Sequence, residues 1–282
     1  MTNTQPLKVA LPNKGSLAES ASQILKEAGY RQRNDLRDLA FIDPDNGVEF
    51  YYLRPRDIAT YVGSGELAIG ITGRDLLKDS NADAIEIFGL DFGKSTFRFA
   101  SLPGRSELSG SRIATAYPTL LRGFLEQKKI GATIVGLDGA VESAIRLGVA
   151  DVIADVVSTG GTLKQAGLEV FGDPILTSEA ILIERRDSIR DSKIETLIRR
   201  INGVVIARQY VLVDYDVPKS SLVKACELTP GLESPTISPL QKPEWMAVRA
   251  MVKRNDVHAV MDRLWEVGAR GILVTDIHSC RL

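Results

Sequence analysis

The sequence predicts an α/β protein in which strands and helices form layers, followed by a smaller mixed domain. Short apolar runs alternate with segments of helical, 3.6-residue periodicity up to about residue 210. Beyond that point the order becomes strand, helix, strand, strand, helix, strand. A chain of 282 residues, 44% hydrophobic and 25% charged, is long enough for two or three domains with their own cores.

The first part of the chain repeats a strand followed by a helix. The predicted strands are LKVALP (7–12), VEFYYL (48–53) and LAIGIT (67–72), and the predicted helices are 16–29, 56–65 and 73–80. Ser16 is the expected capping hydroxyl of the first helix, and Glu19 stands three residues further on.

A second series continues the same alternation. Its predicted strands are RIATAY (112–117), TIVGLD (133–138) and DVIADVV (151–157), and its predicted helices are 118–129 and 140–148. Because strand and helix recur every 20 to 30 residues, a mostly parallel sheet is expected. A strand in SEAILIERR (178–186) and a long amphipathic helix over 193–209 complete this part.

The C-terminal part, residues 211–282, is predicted to be a separate ferredoxin-like domain of order βαββαβ. Its strands and helices are expected at 210–216, 220–228, 244–252, 257–268 and 271–277. The Pro- and Gly-rich connection 229–243 supplies the remaining strand if Thr236 to Leu240 is extended.

Composition excludes several classes of function. Lys and Arg number 35 against 36 Asp and Glu, a formal charge of −1, so no global charge favours nucleic acid or an anionic membrane. No apolar run approaches the roughly 20 residues that span a bilayer. With two cysteines, two histidines and no Cys/His cluster, neither a disulfide framework nor a zinc site is expected. We therefore expect a cytoplasmic protein.

The segment STGGT (158–162) predicts a phosphate site. It follows an apolar strand, its glycines permit positive φ and close approach of the backbone, and its hydroxyls are hydrogen-bond donors. Asp155, just before the turn, is placed to hold ribose hydroxyls or a magnesium ion bound to pyrophosphate. From the loop alone, a tight connection between strand and helix is an equally good interpretation.

Charged residues also follow the first strands, where ligands bind in open α/β sheets. Lys14 lies in PNKG (12–15), and a second group surrounds the next strand ends: Arg54, Arg56, Gly73, Arg74 and Asp75. Each has a structural alternative. Arg54 and Arg56 are equally suited to the surface beside Pro55, and Asp75 to the first turn of a helix. Thr115 and Tyr117 fit either a strand end in the core or the site.

The segments ALPNKG, GITGRDLL, DVVSTGGTL and TPGLESPTI together resemble the ATP phosphoribosyltransferase family in its long form, over essentially the whole chain. The loop is also similar to that of type I phosphoribosyltransferases. However, that family shows two adjacent acids before the turn, whereas Ala154 and Asp155 stand here.

The resemblance implies a bilobed catalytic unit similar to periplasmic binding proteins, with a C-terminal regulatory domain. The first lobe would comprise 1–90 plus 182–210, the second 91–181, and the regulatory domain 211–282. The implied reaction, the first step of histidine biosynthesis, transfers the 5-phosphoribosyl group from phosphoribosyl pyrophosphate (PRPP) to N1 of ATP. Magnesium would arrive with the substrate, without a dedicated protein site. Expected assemblies are hexamers in exchange with dimers.

The resemblance also assigns site residues. Those expected to bind PRPP are Glu142, Asp151, Asp155, Ser158, Thr159, Gly160, Gly161 and Thr162. Those expected to contact ATP or pyrophosphate are Lys14, Arg54, Gly73, Arg74 and Asp75. L-Histidine, the expected feedback inhibitor, would contact Asp216, Leu232, Ser234, Thr236 and Gly271. Two alternatives remain at this point: a non-catalytic bilobed binding protein, and a phosphoribosyltransferase acting on another base.

Overall fold

The computed structural model describes residues 5–281. Within them the strands are β1 (Leu7–Pro12), β2 (Ala40–Asp43), β3 (Val48–Leu53), β4 (Ile69–Gly73), β5 (Ala84–Gly89), β6 (Ser95–Ser101), β7 (Arg112–Thr115), β8 (Thr133–Gly136), β9 (Val152–Val157), β10 (Glu169–Ser178), β11 (Ala180–Arg185), β12 (Tyr210–Pro218), β13 (Thr236–Pro239), β14 (Trp245–Lys253) and β15 (Arg270–Asp276). The helices are α1 (Ser16–Glu27), α2 (Pro55–Gly63), α3 (Arg74–Ser80), α4 (Pro118–Lys128), α5 (Ser143–Arg146), α6 (Gly161–Gln165), α7 (Ser192–Gln209), α8 (Leu222–Leu228) and α9 (Val257–Glu266).

Most predicted elements are confirmed within two or three residues. The predicted helix over 140–148 is reduced to the four residues Ser143–Arg146. Four strands had no counterpart in the prediction: β2, β5, β6 and β10.

Two mixed sheets form the two lobes. The first lobe is built on a six-stranded sheet of order β2-β3-β1-β4-β11-β5, and the second on a five-stranded sheet of order β10-β6-β9-β7-β8. The expectation of a mostly parallel sheet is wrong. Among the described residues, four ladders of these sheets are parallel and five are antiparallel. The unpredicted strands account for four of the five antiparallel ladders, because β2, β5, β6 and β10 all pair in that direction.

In each lobe, apolar side chains of a helix are buried against the sheet. In the first lobe, Ile58, Ala59 and Val62 of α2 pack against Ala10 of β1 and Ile183 of β11, all fully buried. In the second lobe α4 supplies Leu121 and Leu125, which pack with Phe97, Phe99 and Ile113 of the sheet. Apolar residues of β9 alternate between this cluster and a second one beneath α5 and α6. Strand β9 is therefore buried on both faces until it reaches its carboxyl end.

The chain forms two compact units. One holds nearly all residues up to Ile194 except Ile24–Gly29, and the other holds that short segment together with the residues from Glu195 onward. The residue boundaries of the lobes stay a prediction.

The C-terminal domain confirms the predicted βαββαβ order. Strands β12 to β15 form an antiparallel sheet of order β13-β14-β12-β15, and α8 and α9 cover one face. Strand β12 alternates buried and half-buried residues, with Val213 and Tyr215 toward the helices. The Tyr215 hydroxyl is buried but lies 2.7 Å from the hydroxyl of Thr229, so its polar atom has a partner.

Candidate active site

A cavity of about 600 Å³ lies between the two lobes and is lined by residues of both. Lys14 follows β1, Gly73 ends β4 and Asp75 follows it, all at the same edge of the first sheet because β1 and β4 run parallel. Tyr117 follows β7 and Ser158 follows β9 in the second lobe, where those strands are also parallel. The carboxyl ends of parallel strands therefore face one another across the cavity, as expected for a ligand site in an α/β protein.

The predicted phosphate loop lies at this edge of the second sheet. Ser158 borders the cavity between the lobes and also a second cavity of about 590 Å³, which Thr159 and Gly160 line as well. Gly160 has φ +71° and ψ 6°, a left-handed conformation, and α6 begins at the next residue. Ser158, Thr159, Gly161 and Thr162 are exposed, so their polar groups are accessible to a ligand. The loop thus has the left-handed glycine and the accessible donors that the sequence predicts.

Asp155 lies at the base of this loop in an environment that disfavours its charge. Burial raises the pKa of its carboxyl, and the carboxylates of Glu142 and Asp75 raise it further, against a hydrogen bond from the Val156 amide. That amide lies 2.8 Å from Asp155 Oδ1. Glu142 is half-buried immediately before α5. These three predicted carboxylates therefore act on one another, and a cation near them would lower the cost of ionising Asp155.

Asp75 is a buried carboxylate bound to Ser178. Its Oδ1 accepts a 2.5 Å hydrogen bond from the Ser178 hydroxyl, while its own amide donates to that hydroxyl at 3.0 Å. Asp75 also acts on Tyr117, whose pKa is raised by burial first and by the Asp75 charge second. The Tyr117 ring lies edge-to-face with Phe97 at 5.4 Å between centroids. The sequence allowed Tyr117 to be either a core residue at a strand end or a residue of the site, and in the structure it is both.

Seven of the thirteen residues predicted to contact PRPP, ATP or pyrophosphate line neither cavity: Arg54, Arg74, Glu142, Asp151, Asp155, Gly161 and Thr162. The Arg74 guanidinium binds both oxygens of Glu86 at 2.8 and 2.7 Å, and Glu179 at 3.0 Å. These carboxylates raise the pKa of Arg74, with Glu86 the larger cause, and leave the side chain only 20% exposed. Arg54 is exposed immediately before α2 and lines neither of the two cavities.

Asp151 is likewise separated from the loop. It stands before the six-residue strand β9, roughly 20 Å from the strand's other end. There it accepts hydrogen bonds from Arg112, which lower its pKa to about 2, with Arg105 3.5 Å away. Its carboxylate therefore stabilises the start of the strand, and a contact between Asp151 and PRPP stays a prediction.

Two charged residues of the cavity went unpredicted. Lys94, on the connection from β5 to β6, forms an ion pair with Asp91, and Glu179 joins β10 to β11. Both connections cross between the sheets. For Lys94 the sequence carries a signal that could have been used: FGKS places a glycine and a lysine directly before a run of alternating polar and apolar residues.

Two of the residues predicted to bind L-histidine, Asp216 and Gly271, lie close together in the C-terminal domain. Gly271 of β15 has φ +59°, and a Cβ added there would lie 3.6 Å from Asp216 Oδ2 on β12. Thr236 is two strands away on β13, opposite Arg249 of β14, whose guanidinium binds Asp214 at 2.6 Å. The other two predicted residues, Leu232 and Ser234, lie in the connection before β13.

Within the part of the chain that the structure describes, no helix is long and apolar enough to cross a membrane. Nor do three His, Cys, Asp or Glu side chains in residues 5–281 converge to form a metal-binding group.

Comparison with known proteins identifies relatives over nearly the full length. The family model HisG, described as ATP phosphoribosyltransferase, matches residues 54–203, and the model of the HisG C-terminal domain matches residues 207–279. The ATP phosphoribosyltransferase of Pseudarthrobacter chlorophenolicus is 58% identical over 98% of this chain and 100% of the relative. That of Mycobacterium tuberculosis is 55% identical over 98% of this chain and 99% of the relative.

A solved structure gives an independent comparison of fold. The ATP phosphoribosyl transferase (HisG:HisZ) complex from Thermotoga maritima contains a chain that is 28% identical, with a TM-score of 0.62. The match covers 71% of this chain and 97% of that one. The catalytic lobes, the C-terminal domain and the sequence matches agree, and the chain belongs to the ATP phosphoribosyltransferase family.

Proposed function

We propose that this protein transfers the 5-phosphoribosyl group of PRPP to N1 of ATP, releasing pyrophosphate, as the first step of L-histidine biosynthesis. The observation that carries the proposal is the cavity between the lobes. It joins the lysine at a strand end of one lobe to the glycine and hydroxyl loop of the other, in a chain of this family. Both substrates are polyanions, and each half of the cavity offers groups that bind phosphate.

The reaction asks the protein mainly to position its substrates. N1 of adenine carries a lone pair, so no side chain has to remove a proton before it attacks C1 of the ribose. The bond from C1 to pyrophosphate breaks as the bond to N1 forms, and the departing oxygens gain charge. A site of lysines, amides and hydroxyls without histidine suits this chemistry, since His258 and His278 both lie in the C-terminal domain.

The loop over 158–162 is proposed to bind the 5-phosphate of PRPP, with Asp155 and Glu142 near the ribose. Lys14 and Lys94 are proposed to face the pyrophosphate or the ATP phosphates, because both line the cavity between the lobes. A divalent metal ion, which we propose is magnesium, would arrive bound to pyrophosphate oxygens. Carboxylate oxygens are ligands that magnesium accepts, and the raised pKa of Asp155 indicates a place where a cation is favourable.

The direct test is incubation of the protein with ATP, PRPP and magnesium, following the ultraviolet absorbance of the adduct and the release of pyrophosphate. Omission of each substrate in turn is the control. Adenine, guanine or uracil in place of ATP tests transfer to another base. Tight binding of PRPP with no adduct and no pyrophosphate would instead favour a non-catalytic binding protein.

We also propose that L-histidine inhibits this reaction by binding at Asp216 and Gly271 of the C-terminal domain. The ammonium of a free amino acid needs an acceptor acid, and Gly271 leaves space beside the carboxylate. Asp216→Ala combined with Ser234→Ala should abolish inhibition and leave turnover near normal. Asp214→Ala is the matched control, since Asp214 lies on the same strand but is paired with Arg249. If the double variant stayed as sensitive as the parent, the effector site would lie elsewhere.

Assembly is the last part of the proposal. Hexamers in exchange with dimers are expected, and the edge strand β13, paired on one side with β14, is available to a second copy. Sedimentation at micromolar concentration, with and without L-histidine, measures this directly. Monomers under every condition would refute it.

A further inference from the structure

Two carboxylates of α3, Asp75 and Asp79, reach across to the start of α4 in the other lobe. They are four residues apart, so they lie on one face of the helix, and both are buried. Asp75 lines the cavity together with Tyr117, the residue before α4, and its charge raises the pKa of that tyrosine after burial. Asp79 accepts hydrogen bonds from backbone amides of α4 itself.

Asp79 satisfies backbone groups that α4 leaves without a partner of its own. Its Oδ1 accepts hydrogen bonds from the amides of Thr119 at 2.9 Å and Leu120 at 3.1 Å. The residue in the capping position, Tyr117, provides no side-chain cap. An acid of the first lobe therefore acts as the cap of a helix of the second lobe, a role that a residue of the helix's own segment normally fills.

Arg56 of α2 completes the contact. Its Nη1 lies 3.0 Å from Asp79 Oδ2, and its guanidinium carbon lies 5.0 Å from the centre of the Tyr117 ring. The Asp79 side chain is 7% exposed, whereas Arg56 is 43% exposed. The carboxylate thus has both oxygens bound, one to α4 and one to a cation of its own lobe. We call Asp79, Arg56 and the amides of Thr119 and Leu120 the lobe clasp.

The clasp joins two rigid elements. Helix α3 packs on α2, β4 and β5 of the first lobe. Helix α4 buries Leu121 and Leu125 in the core of the second. Asp75 of one lobe and Tyr117 and Ser158 of the other line the cavity. The position of α4 against α3 therefore sets the distance between the side chains that face the substrates from the two lobes.

We propose that Asp79 is a positioning residue: through the lobe clasp it holds the two lobes at the spacing at which both substrates are bound together. The expected effect on KM rests on the proposed function, whereas the effect on the distance between the lobes does not. A loosened clasp lowers the fraction of molecules with the lobes correctly placed. Apparent dissociation constants of ligands that contact both lobes then rise by the inverse of that fraction.

The test compares Asp79→Ala, Asp79→Asn and Arg56→Gln with the parent protein. Asparagine retains an oxygen for the amides of Thr119 and Leu120 but loses the charge that Arg56 binds. Asp83→Ala is the matched control, because it removes an exposed ion pair with Arg186 in the first lobe, at 3.1 Å, that does not reach α4. Circular dichroism and thermal melts establish that each variant is folded.

Two measurements decide the question. Spin labels at Thr60→Cys on α2 and Gln127→Cys on α4, both exposed, report the spacing of the lobes after the native cysteines are replaced by serine. We expect Asp79→Ala to broaden or shift this distance. We further expect KM for ATP and PRPP to rise roughly 10-fold or more, with kcat within about twofold. Asp79→Asn should fall between Asp79→Ala and the parent, and Asp83→Ala should match the parent.

An unchanged distance with unchanged KM in folded Asp79→Ala would overturn the proposal. A loss of kcat alone, at unchanged distance, would show that Asp79 only stabilises α4. Should Asp79→Ala fail to fold, the same two outcomes in Arg56→Gln decide the case. If the parent protein has no activity, the proposed function fails, and the distance measurement still decides whether the clasp sets the spacing.

Discussion

Replacing Gly160 by alanine separates the geometry of the phosphate loop from its contribution to folding. Gly160 has φ +71°, and an added Cβ would approach Val157 Cγ1 no closer than 3.8 Å, an ordinary van der Waals distance. The cost is therefore conformational, about 1 kcal/mol for an L-residue in the left-handed region. In a chain of this size that lowers the melting temperature by roughly 2–4 °C.

The effect on the substrate is expected to be larger. If the loop relaxes to negative φ, the amides around Gly160 turn away from the 5-phosphate. Loss of one hydrogen bond to a charged group costs about 1.5–3 kcal/mol, or roughly 10- to 100-fold in PRPP affinity. Titration calorimetry with PRPP and magnesium measures this change, and thermal melts measure the stability change separately.

Gly167 provides the matched control, because its φ is +73° and nothing lies within 4 Å of an added Cβ. It follows α6, outside the 158–162 loop. Gly167→Ala should lose the same stability as Gly160→Ala and retain the affinity of the parent for PRPP. If both variants bound PRPP like the parent, the loop would not be the phosphate site and the reasoning from its geometry would be refuted.

Three further outcomes are expected. Asp155→Asn should raise the melting temperature at pH 7.5 and reduce turnover. Burial and the neighbouring carboxylates of Glu142 and Asp75 raise the pKa of Asp155, so its ionised form destabilises the folded protein above that pKa. The gain in melting temperature should therefore vanish near pH 4. A melting temperature unchanged at pH 7.5 would contradict this. Glu184→Gln should lose about 1–2 kcal/mol of stability at pH 7, because hydrogen bonds from Arg190 lower the pKa of this buried carboxyl in the folded protein. The stabilisation is present above the pKa of the unfolded chain and is lost as pH falls through the lowered pKa of the folded protein. The variant and the parent should therefore become equally stable in acid, which urea titrations at several pH values measure. Calorimetry of the free protein with magnesium should detect only weak binding, with tight binding appearing once PRPP is added; tight binding without PRPP would contradict a substrate-borne ion.

The strand ends that form the cavity were predictable from local patterns. Lys14 stands two residues after an apolar run, and Ser158 directly follows another, so each residue's place at a strand end follows from its neighbours in sequence. The positive φ of Gly160 was predictable for the same reason, since two glycines follow a strand and precede a helix.

The direction in which a side chain points could not be predicted from its neighbours in sequence. Arg74 stands in the motif GITGRDLL, yet its partners Glu86 and Glu179 are 12 and 105 residues away, and only the folded sheet brings them together. Strand β10 escaped prediction because EVFGDPILTS contains glycine and proline and pairs with an irregularity between Phe171 and Leu176. The residues missed at the site, Lys94 and Glu179, lie on connections to such strands.

The position of β11 has a consequence for how the chain acquires its structure during synthesis. This strand lies between β4 and β5 and pairs with both, although about a hundred residues separate it from them in sequence. Until the ribosome has completed the second lobe, β4 and β5 each lack a neighbour, and the buried Ile69 and Ile71 lie on an open edge. Closing so long a loop is slow, so the first lobe stays open to wrong pairings until the second has been made. The first lobe therefore cannot complete its sheet before the second has been made, and a fragment ending before Ala180 would expose a strand edge prone to aggregation.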